Sequence, residues 1–319
     1  MSKFFTYLDQ VVMLMRILRS KSIKLFIQIP VFNQDFLSNR FVARRIQEVS
    51  PGTEVIFETM LELEYLVKLK EMRMDKGAQF YAHQSMHCVL RNENYVGDFM
   101  DLVKIAMEEF GIEDAEVANN LLFEKTAKDS TVSAVNGRGH QTVYLELHGA
   151  DGTDMDPNIL GKIIIELFED ICPLACKNFI ALCSNISGRE TDGIVFSYVN
   201  CPVHRIVPGG WIQMGDIIDG SGGSSISPID PSGKFRDESF SVDFGALMGG
   251  IVGYSSNEPH ANGSQFFITL GPCAWMNNKS VGFGRVVQGF PLLSKLSSMP
   301  LVSERPVPEV FIGACGVLK

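Results

Sequence analysis

The sequence lacks any long basic run, and its acidic residues outnumber its basic ones by 37 to 28, which gives a formal net charge of -9. This balance disfavours nonspecific binding to nucleic acid or to anionic membranes, so we expect no nucleic-acid partner. No apolar run reaches the about 20 residues that cross a bilayer, so we expect no membrane span. The seven cysteines form no disulfide framework, which indicates a reducing, cytoplasmic environment.

The length of 319 residues and the 45% hydrophobic content allow two domains with cores of their own, at about 100–200 residues per domain. Residues 1–22 carry apolar side chains at helical spacing, interrupted by Asp9, Gln10 and Arg16 and followed by no small-residue cleavage site. We predict an amphipathic helical extension rather than a secretory signal. A mitochondrial targeting helix stays open as an alternative.

Residues 23–128 show the alternation of a small α/β domain. The pattern predicts strands at 23–31, 54–59, 86–91 and 95–96, and helices at 36–49, 62–74, 99–110 and 113–128. This order, with the Asn-Tyr-Val-Gly-Asp step at 94–98, resembles a thioredoxin or glutaredoxin fold. The first strand–helix junction, 30–35, has no cysteine, which excludes thiol–disulfide exchange there and favours a docking unit.

A Ser-, Gly- and Asn-containing stretch at 129–140 predicts a linker, so the second domain covers 141–319. Its predicted elements are strands at 142–148, 160–168 and 310–318 and helices at 173–182 and 291–296.

The stretch 203–216, Val-His-Arg-Ile-Val-Pro-Gly-Gly-Trp-Ile-Gln-Met-Gly-Asp, predicts two short strands joined by a tight turn. Arg205 and Gln213 stand among apolar neighbours in these strands. Placing a guanidinium in an apolar wall costs free energy unless a partner or a ligand binds it. The pair therefore indicates a functional site.

This stretch resembles the Phe-His-Arg-Ile-Ile-Pro-Gly-Phe-Met-x-Gln-Gly-Gly-Asp block of the cyclophilins, the peptidyl-prolyl cis-trans isomerases. Three further blocks occur in the family's order: Asn-Gly-Ser-Gln-Phe-Phe-Ile-Thr at 262–269, Trp275 with Val-Gly-Phe-Gly-Arg-Val at 281–286, and the opening strand and helix at 161–183. The similarity runs from Gln141 to the C-terminus. The N-terminal region and residues 210–213 are most similar to the cyclophilin-like-6 branch.

The resemblance implies an α+β multidomain chain, in which a closed antiparallel barrel capped by two helices follows the thioredoxin-like domain. It implies a cofactor-free, metal-free isomerase that acts on proline-containing peptides. In the family's pattern Arg205 donates a hydrogen bond to the nitrogen of the twisted X–Pro amide, and Gln213 fixes this arginine. The positions that line the substrate site are Trp211, Ser255, Ser256, Gln265, Phe267, Trp275 and Met276.

Several residues depart from the family's pattern. Gly210 and Trp211 replace a Phe-Met pair, Met276 a leucine, and Ser280 a histidine; Tyr-Ser-Ser at 254–256 replaces Met-Ala-Asn. We therefore predict a weakened isomerase or a proline-peptide binder. Two alternatives stay open for single residues: Arg205 as a structural arginine paired with an acid, and Trp211 as an ordinary core aromatic.

The alternative for the whole chain is a non-catalytic scaffold in a larger assembly. The similar branch associates with cilia and axonemes, so we expect a cytoplasmic protein that a ciliary axoneme recruits.

Two further motifs have structural interpretations. Cys172, Cys176 and Cys183 lie at helical spacing and are predicted to be half-buried thiols rather than metal ligands. His204 is predicted to be structural.

Overall fold

The computed structural model describes residues 23–30, 36–112, 139–150, 158–184, 190–191, 194–245 and 249–318. The chain divides into two compact units, Met1–Thr131 and Val132–Lys319. The predicted N-terminal extension, the predicted helix at 113–128 and all but the end of the predicted linker lie outside the described residues. Within the described ranges, no helix is long and apolar enough to cross a membrane.

The N-terminal unit is an α/β structure, and its described elements follow the order predicted from the sequence apart from one additional short helix. Its elements are β1 (Ile23–Pro30), α1 (Phe36–Val49), β2 (Thr53–Met60), α2 (Glu62–Lys76), α3 (Ala78–Ala82), β3 (Cys88–Arg91), β4 (Asn94–Gly97) and α4 (Phe99–Phe110). The sheet order is β2-β1-β3-β4. Strands β1 and β2 are parallel, whereas β3 is antiparallel to both β1 and β4. The short helix α3 was not predicted.

The ends of α4 follow from local sequence signals. The Asp98 carboxylate accepts hydrogen bonds from the backbone N–H groups of Met100 and Asp101 at the first turn, which satisfies donors that lack intrahelical partners. Gly111 follows the helix with φ of 66°, the left-handed conformation that glycine adopts without steric cost. The apolar face of α4, including Leu102 and Ala106, is buried.

The C-terminal unit is built on an eight-stranded antiparallel sheet. Its elements are β5 (Thr142–Gly149), β6 (Asn158–Leu167), α5 (Pro173–Cys183), β7 (Glu190–Thr191), β8 (Ile194–Val195), β9 (Val203–Val207), β10 (Trp211–Met214), β11 (Ile251–Tyr254), β12 (Phe266–Thr269), β13 (Gly282–Gln288), α6 (Phe290–Ser297), β14 (Leu301–Val302), β15 (Arg305–Pro306) and β16 (Val310–Leu318). The order in the large sheet is β16-β5-β6-β13-β11-β12-β10-β9.

The two edges of this sheet meet, so the sheet closes into a barrel. Pro202, just before β9, forms an antiparallel bridge with Phe311 of β16. The N–H of Asn200 donates to the Ile312 carbonyl at 2.7 Å, and the N–H of Ile312 donates to the Cys201 carbonyl at 3.0 Å. Closure removes the unpaired strand edges at which sheets aggregate. The predicted closed barrel is confirmed.

Helix α5 packs its aromatic and thiol side chains into the barrel core. Cys172 and Cys176 are 0% exposed and Cys183 is 1% exposed, so the prediction of half-buried thiols is wrong. The helix is buried on more sides than a surface helix, because sheet residues cover it. Burial also raises the pKa of the Cys172 thiol to about 12, because the apolar surroundings disfavour the thiolate.

Candidate functional site

The register of three neighbouring strands aligns the predicted site residues. Gln213 of β10 lies opposite Arg205 of β9 on one side and opposite Phe267 of β12 on the other. Residues directly opposite one another in antiparallel strands point to the same face of the sheet. The sheet therefore brings the three side chains into one row.

Arg205 is accessible and paired with an acid. Its Nε donates to Oε2 of Glu304 at 2.7 Å and its Nη2 to Oε1 at 3.4 Å. The arginine side chain is 43% exposed, and its guanidinium carbon lies 5.2 Å from the centre of the Trp211 ring, within the range of a cation–π contact. The guanidinium thus lies at the surface between a carboxylate and an indole.

Gln213 is held by three neighbours other than Arg205. Its Nε2 donates to Oγ of Ser255 at 3.0 Å and to Oε1 of Gln265 at 2.8 Å, and its Oε1 accepts from Nε1 of Trp211 at 3.4 Å. The resemblance implies that Gln213 fixes the arginine. The contact of Arg205 with Trp211 supplies an indirect connection, because the indole bonds to the glutamine.

Gln265 connects this amide network to the glycine-rich loop, Gly-Ser-Gly-Gly-Ser at 220–224. Its side chain is buried, and its Nε2 donates to the carbonyl oxygens of Gly222 at 3.0 Å and Ser224 at 2.8 Å. The buried carboxylate of Asp216 fixes the conformation of the loop. It accepts hydrogen bonds from the N–H groups of Gly222 at 2.8 Å and Ser224 at 3.1 Å. The side-chain amides of Gln213 and Gln265 are therefore each held in one orientation.

An apolar cluster lies beneath this polar row. Phe267 is 4% exposed and packs with Phe244, Ile251, Cys273 and Met276, and Trp211 is partly buried against them. The ring centres of Phe244 and Phe267 are 5.8 Å apart. Phe244 was not predicted as a site residue. Its sequence context, a single aromatic residue between Asp243 and Gly245, gives no further signal. The cluster is a buried apolar surface under the row, and the assignment of Phe267 as the floor of a proline pocket stays a prediction.

Both tryptophans of the sequence are at this site. The ring centres of Trp211 and Trp275 are 5.5 Å apart in an edge-to-face arrangement. Trp275 is 57% exposed at the rim, whereas Trp211 continues inward to the apolar cluster. Trp211 is therefore both a packing residue and part of the site surface, so its two interpretations are compatible.

The remaining predicted residues surround this centre. The N–H of Ser255 donates to the Gln265 carbonyl at 3.0 Å, while Oγ of Ser256 donates to the Glu258 carbonyl at 2.6 Å. Met276 is buried at the end of a 3₁₀ turn, and the Ser280 N–H donates to its carbonyl at 3.2 Å. The Ser256 hydroxyl is therefore engaged within its own turn.

His204 lies next to Arg205 in the sequence but is 6% exposed. Burial is the largest influence on its pKa and lowers it, because the imidazolium is poorly solvated there. Among the described residues, no group of three His, Cys, Asp or Glu side chains could hold a metal ion. The site thus offers a cationic donor, two fixed amides, an apolar floor and an aromatic wall.

Comparison with known proteins places this arrangement in a family. The sequence model described as cyclophilin type peptidyl-prolyl cis-trans isomerase/CLD matches residues 153–317. A Bos taurus protein named "Probable inactive peptidyl-prolyl cis-trans isomerase-like 6" is 33% identical over 250 residues, 78% of each chain. The Homo sapiens protein of the same name is 34% identical over 239 residues, 75% of this chain and 73% of its own.

Another relative matches a shorter part of the chain. The NK-tumor recognition protein of Mus musculus is 36% identical over 163 residues, which are 50% of this chain and 11% of that protein. The matches to the isomerase-like 6 proteins are longer and include sequence outside the barrel. The chain belongs to the cyclophilin-type peptidyl-prolyl cis-trans isomerase family.

Proposed function

We propose that the C-terminal unit binds proline-containing peptide segments and catalyses their cis–trans isomerisation slowly. The observation that carries the proposal is the row across β9, β10 and β12, in which an accessible Arg205 stands beside Gln213 and the Phe267 floor. A proline ring fits an apolar floor, and an extended peptide backbone needs fixed amide partners such as Gln213.

The chemistry requires no covalent step. Rotation about the X–Pro bond has a barrier of about 18–20 kcal/mol because the C–N bond has partial double-bond character. At the twisted geometry this character is lost and the proline nitrogen accepts a hydrogen bond. A donor such as Arg205 then binds the twisted amide more strongly than either planar form, which lowers the barrier.

Two features support low activity. Gly210 supplies no side chain to the wall, so the aromatic surface there comes from Trp211 and Trp275. Arg205 also donates to the Glu304 carboxylate, which competes with a peptide for the same cation. The names of the two relatives include the word "inactive", which agrees with reduced catalysis in this branch.

The test combines two measurements on the full chain. Since both tryptophans are at the site, intrinsic fluorescence reports binding of an X–Pro peptide directly. Exchange NMR on the same peptide then reports catalysis. We expect a saturable fluorescence change together with measurable exchange. Saturation without exchange would reduce the proposal to a binding module, and neither signal in a folded chain would contradict it.

Trp211 should contribute measurably to peptide affinity. In Trp211→Ala the aromatic wall is lost, and because burying such a side chain contributes about 1.5–3 kcal/mol, we expect peptide affinity to fall by at least about tenfold. Trp275 fluorescence remains to follow the titration. Trp211→Phe is the matched variant and should retain most of the affinity. Equal affinities for both variants and wild type would remove Trp211 from the binding surface.

As a second candidate, we propose that the chain also acts as a scaffold subunit, with its N-terminal unit as a thioredoxin-like docking module and a ciliary axoneme as the assembly. The parallel β1–β2 pair followed by the antiparallel β3–β4 pair supports this fold assignment. A tagged chain carrying Arg205→Ala should reach cilia as the wild type does. Diffuse cytoplasmic signal for the wild type in ciliated cells would contradict this role.

A further inference from the structure

We infer that Glu304 is a positioning residue that competes with the peptide for Arg205 and so reduces the activity of the site. The inference rests on the proposed function of that site. The carboxylate binds the guanidinium through Nε and Nη2, at 2.7 and 3.4 Å. These are two of the five N–H groups with which an arginine binds its partners, so Glu304 occupies one donor edge of Arg205.

The backbone places Glu304 at the site. Glu304 and Ser303 connect β14 to β15, with φ of 64° and 50°. Both values lie in the left-handed region, which a two-residue hairpin of this kind requires at both central positions. Asparagine and glycine are the usual residues there, whereas this hairpin carries serine and glutamate. The turn presents the glutamate carboxylate to Arg205.

The hairpin is tethered on both sides of the carboxylate. The Ile206 N–H donates to the Glu304 carbonyl at 2.7 Å, which fixes the turn to the strand that carries Arg205. Arg305, the next residue, donates through Nη2 to the carbonyls of Gly220 at 3.2 Å and Ser221 at 2.6 Å. The backbone of Glu304 is therefore held between β9 and the glycine-rich loop, which keeps its carboxylate within reach of Arg205.

The ion pair with Glu304 also fixes the position of the Arg205 guanidinium relative to the Trp211 ring. Arg205 lies over Trp211 while it is bound to Glu304. A peptide whose proline rests near Phe267 must therefore draw a donor of Arg205 away from the carboxylate or use an N–H on the free edge. In both cases the Glu304 carboxylate weakens the hydrogen bond from Arg205 to the nitrogen of the twisted amide, because its negative charge attracts the same cation.

The exposure of the two side chains sets the size of the effect. They are 43% and 51% exposed, and pairs of this kind are weak because water and salt screen them. Glu304 therefore reduces the activity of Arg205 without abolishing it. We expect Glu304→Gln to raise kcat/KM for an X–Pro peptide by about 2- to 5-fold, the range that an exposed ion pair allows.

The test compares the full chain carrying Glu304→Gln or Glu304→Ala with wild type by exchange NMR. Glu309→Gln removes the same charge at an exposed position five residues further on and should leave the rate unchanged. Raising salt from about 0.1 to about 1 M shortens the screening length from about 10 to about 3 Å. This should raise the wild-type rate about twofold and leave Glu304→Ala unaffected, a response that a merely structural role would not produce.

The outcomes separate this inference from the proposed function. A wild type that catalyses exchange, with Glu304 variants at or below the wild-type rate, overturns the competition and keeps the isomerase. A silent wild type with an active Glu304→Gln supports the competition and shows that the wild-type chain is only a binder. If all variants are silent while fluorescence still saturates, both the competition and the catalytic proposal fail.

Discussion

Replacing Phe179 by alanine is expected to lower the free energy of unfolding of the C-terminal unit by about 3–5 kcal/mol. Phe179 is 0% exposed, and its ring centre lies 5.3, 4.9 and 5.1 Å from those of Tyr198, Phe266 and Phe283. Truncation removes all three ring contacts and leaves a cavity in the barrel. The loss is large because the three remaining rings, anchored on β12, on β13 and just before β9, cannot all move in to close the space.

The measurement is urea unfolding followed by tryptophan fluorescence. Both tryptophans belong to the unit Val132–Lys319, so the signal reports on the barrel alone. Phe240→Ala is the matched control, because Phe240 is 39% exposed, and it should change the unfolding free energy by no more than about 0.5 kcal/mol. Similar unfolding midpoints for the two variants would contradict the role of Phe179.

The same substitution should also affect the site. Phe266 follows Gln265 and precedes Phe267 in the strand that supports the apolar floor, and it packs edge-to-face on Phe179. Losing this support should weaken peptide binding even where the barrel stays folded. The core of helix α5 thus fixes the position of the site residues on β12.

The parts of the fold that could be predicted from sequence are those with short-range signals. Helix α4 was predicted at its observed bounds because it has a capping aspartate and a terminal glycine. The two strands at 203–214 were predicted from Pro-Gly-Gly between β-branched residues, whereas the irregularity in their register at Gln213 and Met214 has no local signal. Helix α3 was missed because its five residues are too few for a periodic pattern.

The parts that could not be predicted depend on contacts across the fold. Glu304 lies 99 residues from Arg205, in a hairpin whose sequence carries no turn signal of the Asn-Gly kind, so nothing local connects them. Phe244 reaches the Phe267 floor from a stretch without a recognisable motif. The burial of the α5 cysteines was underestimated for the same reason, since helical spacing shows one buried face but not how many strands cover the helix.

Replacing Arg205 by alanine should reduce kcat/KM for an X–Pro peptide by about 10- to 150-fold. A hydrogen bond from a charged donor is worth about 1.5–3 kcal/mol, and each 1.36 kcal/mol changes the rate about tenfold. Peptide affinity, followed by tryptophan fluorescence, should change much less, because the floor and the amide network remain. Exchange NMR at saturating peptide separates the two effects.

Two further variants test whether the effect belongs to this donor. Arg236→Ala removes another exposed arginine of the same unit and should leave catalysis unchanged. Arg205→Lys keeps the charge but loses the planar fork, so we expect an intermediate rate. Stability should hardly change in any of them, since the exposed pair with Glu304 contributes at most about 1 kcal/mol. If Arg205→Ala kept the wild-type rate, the acceleration would come from burial of the proline ring alone, and the donor mechanism would be wrong.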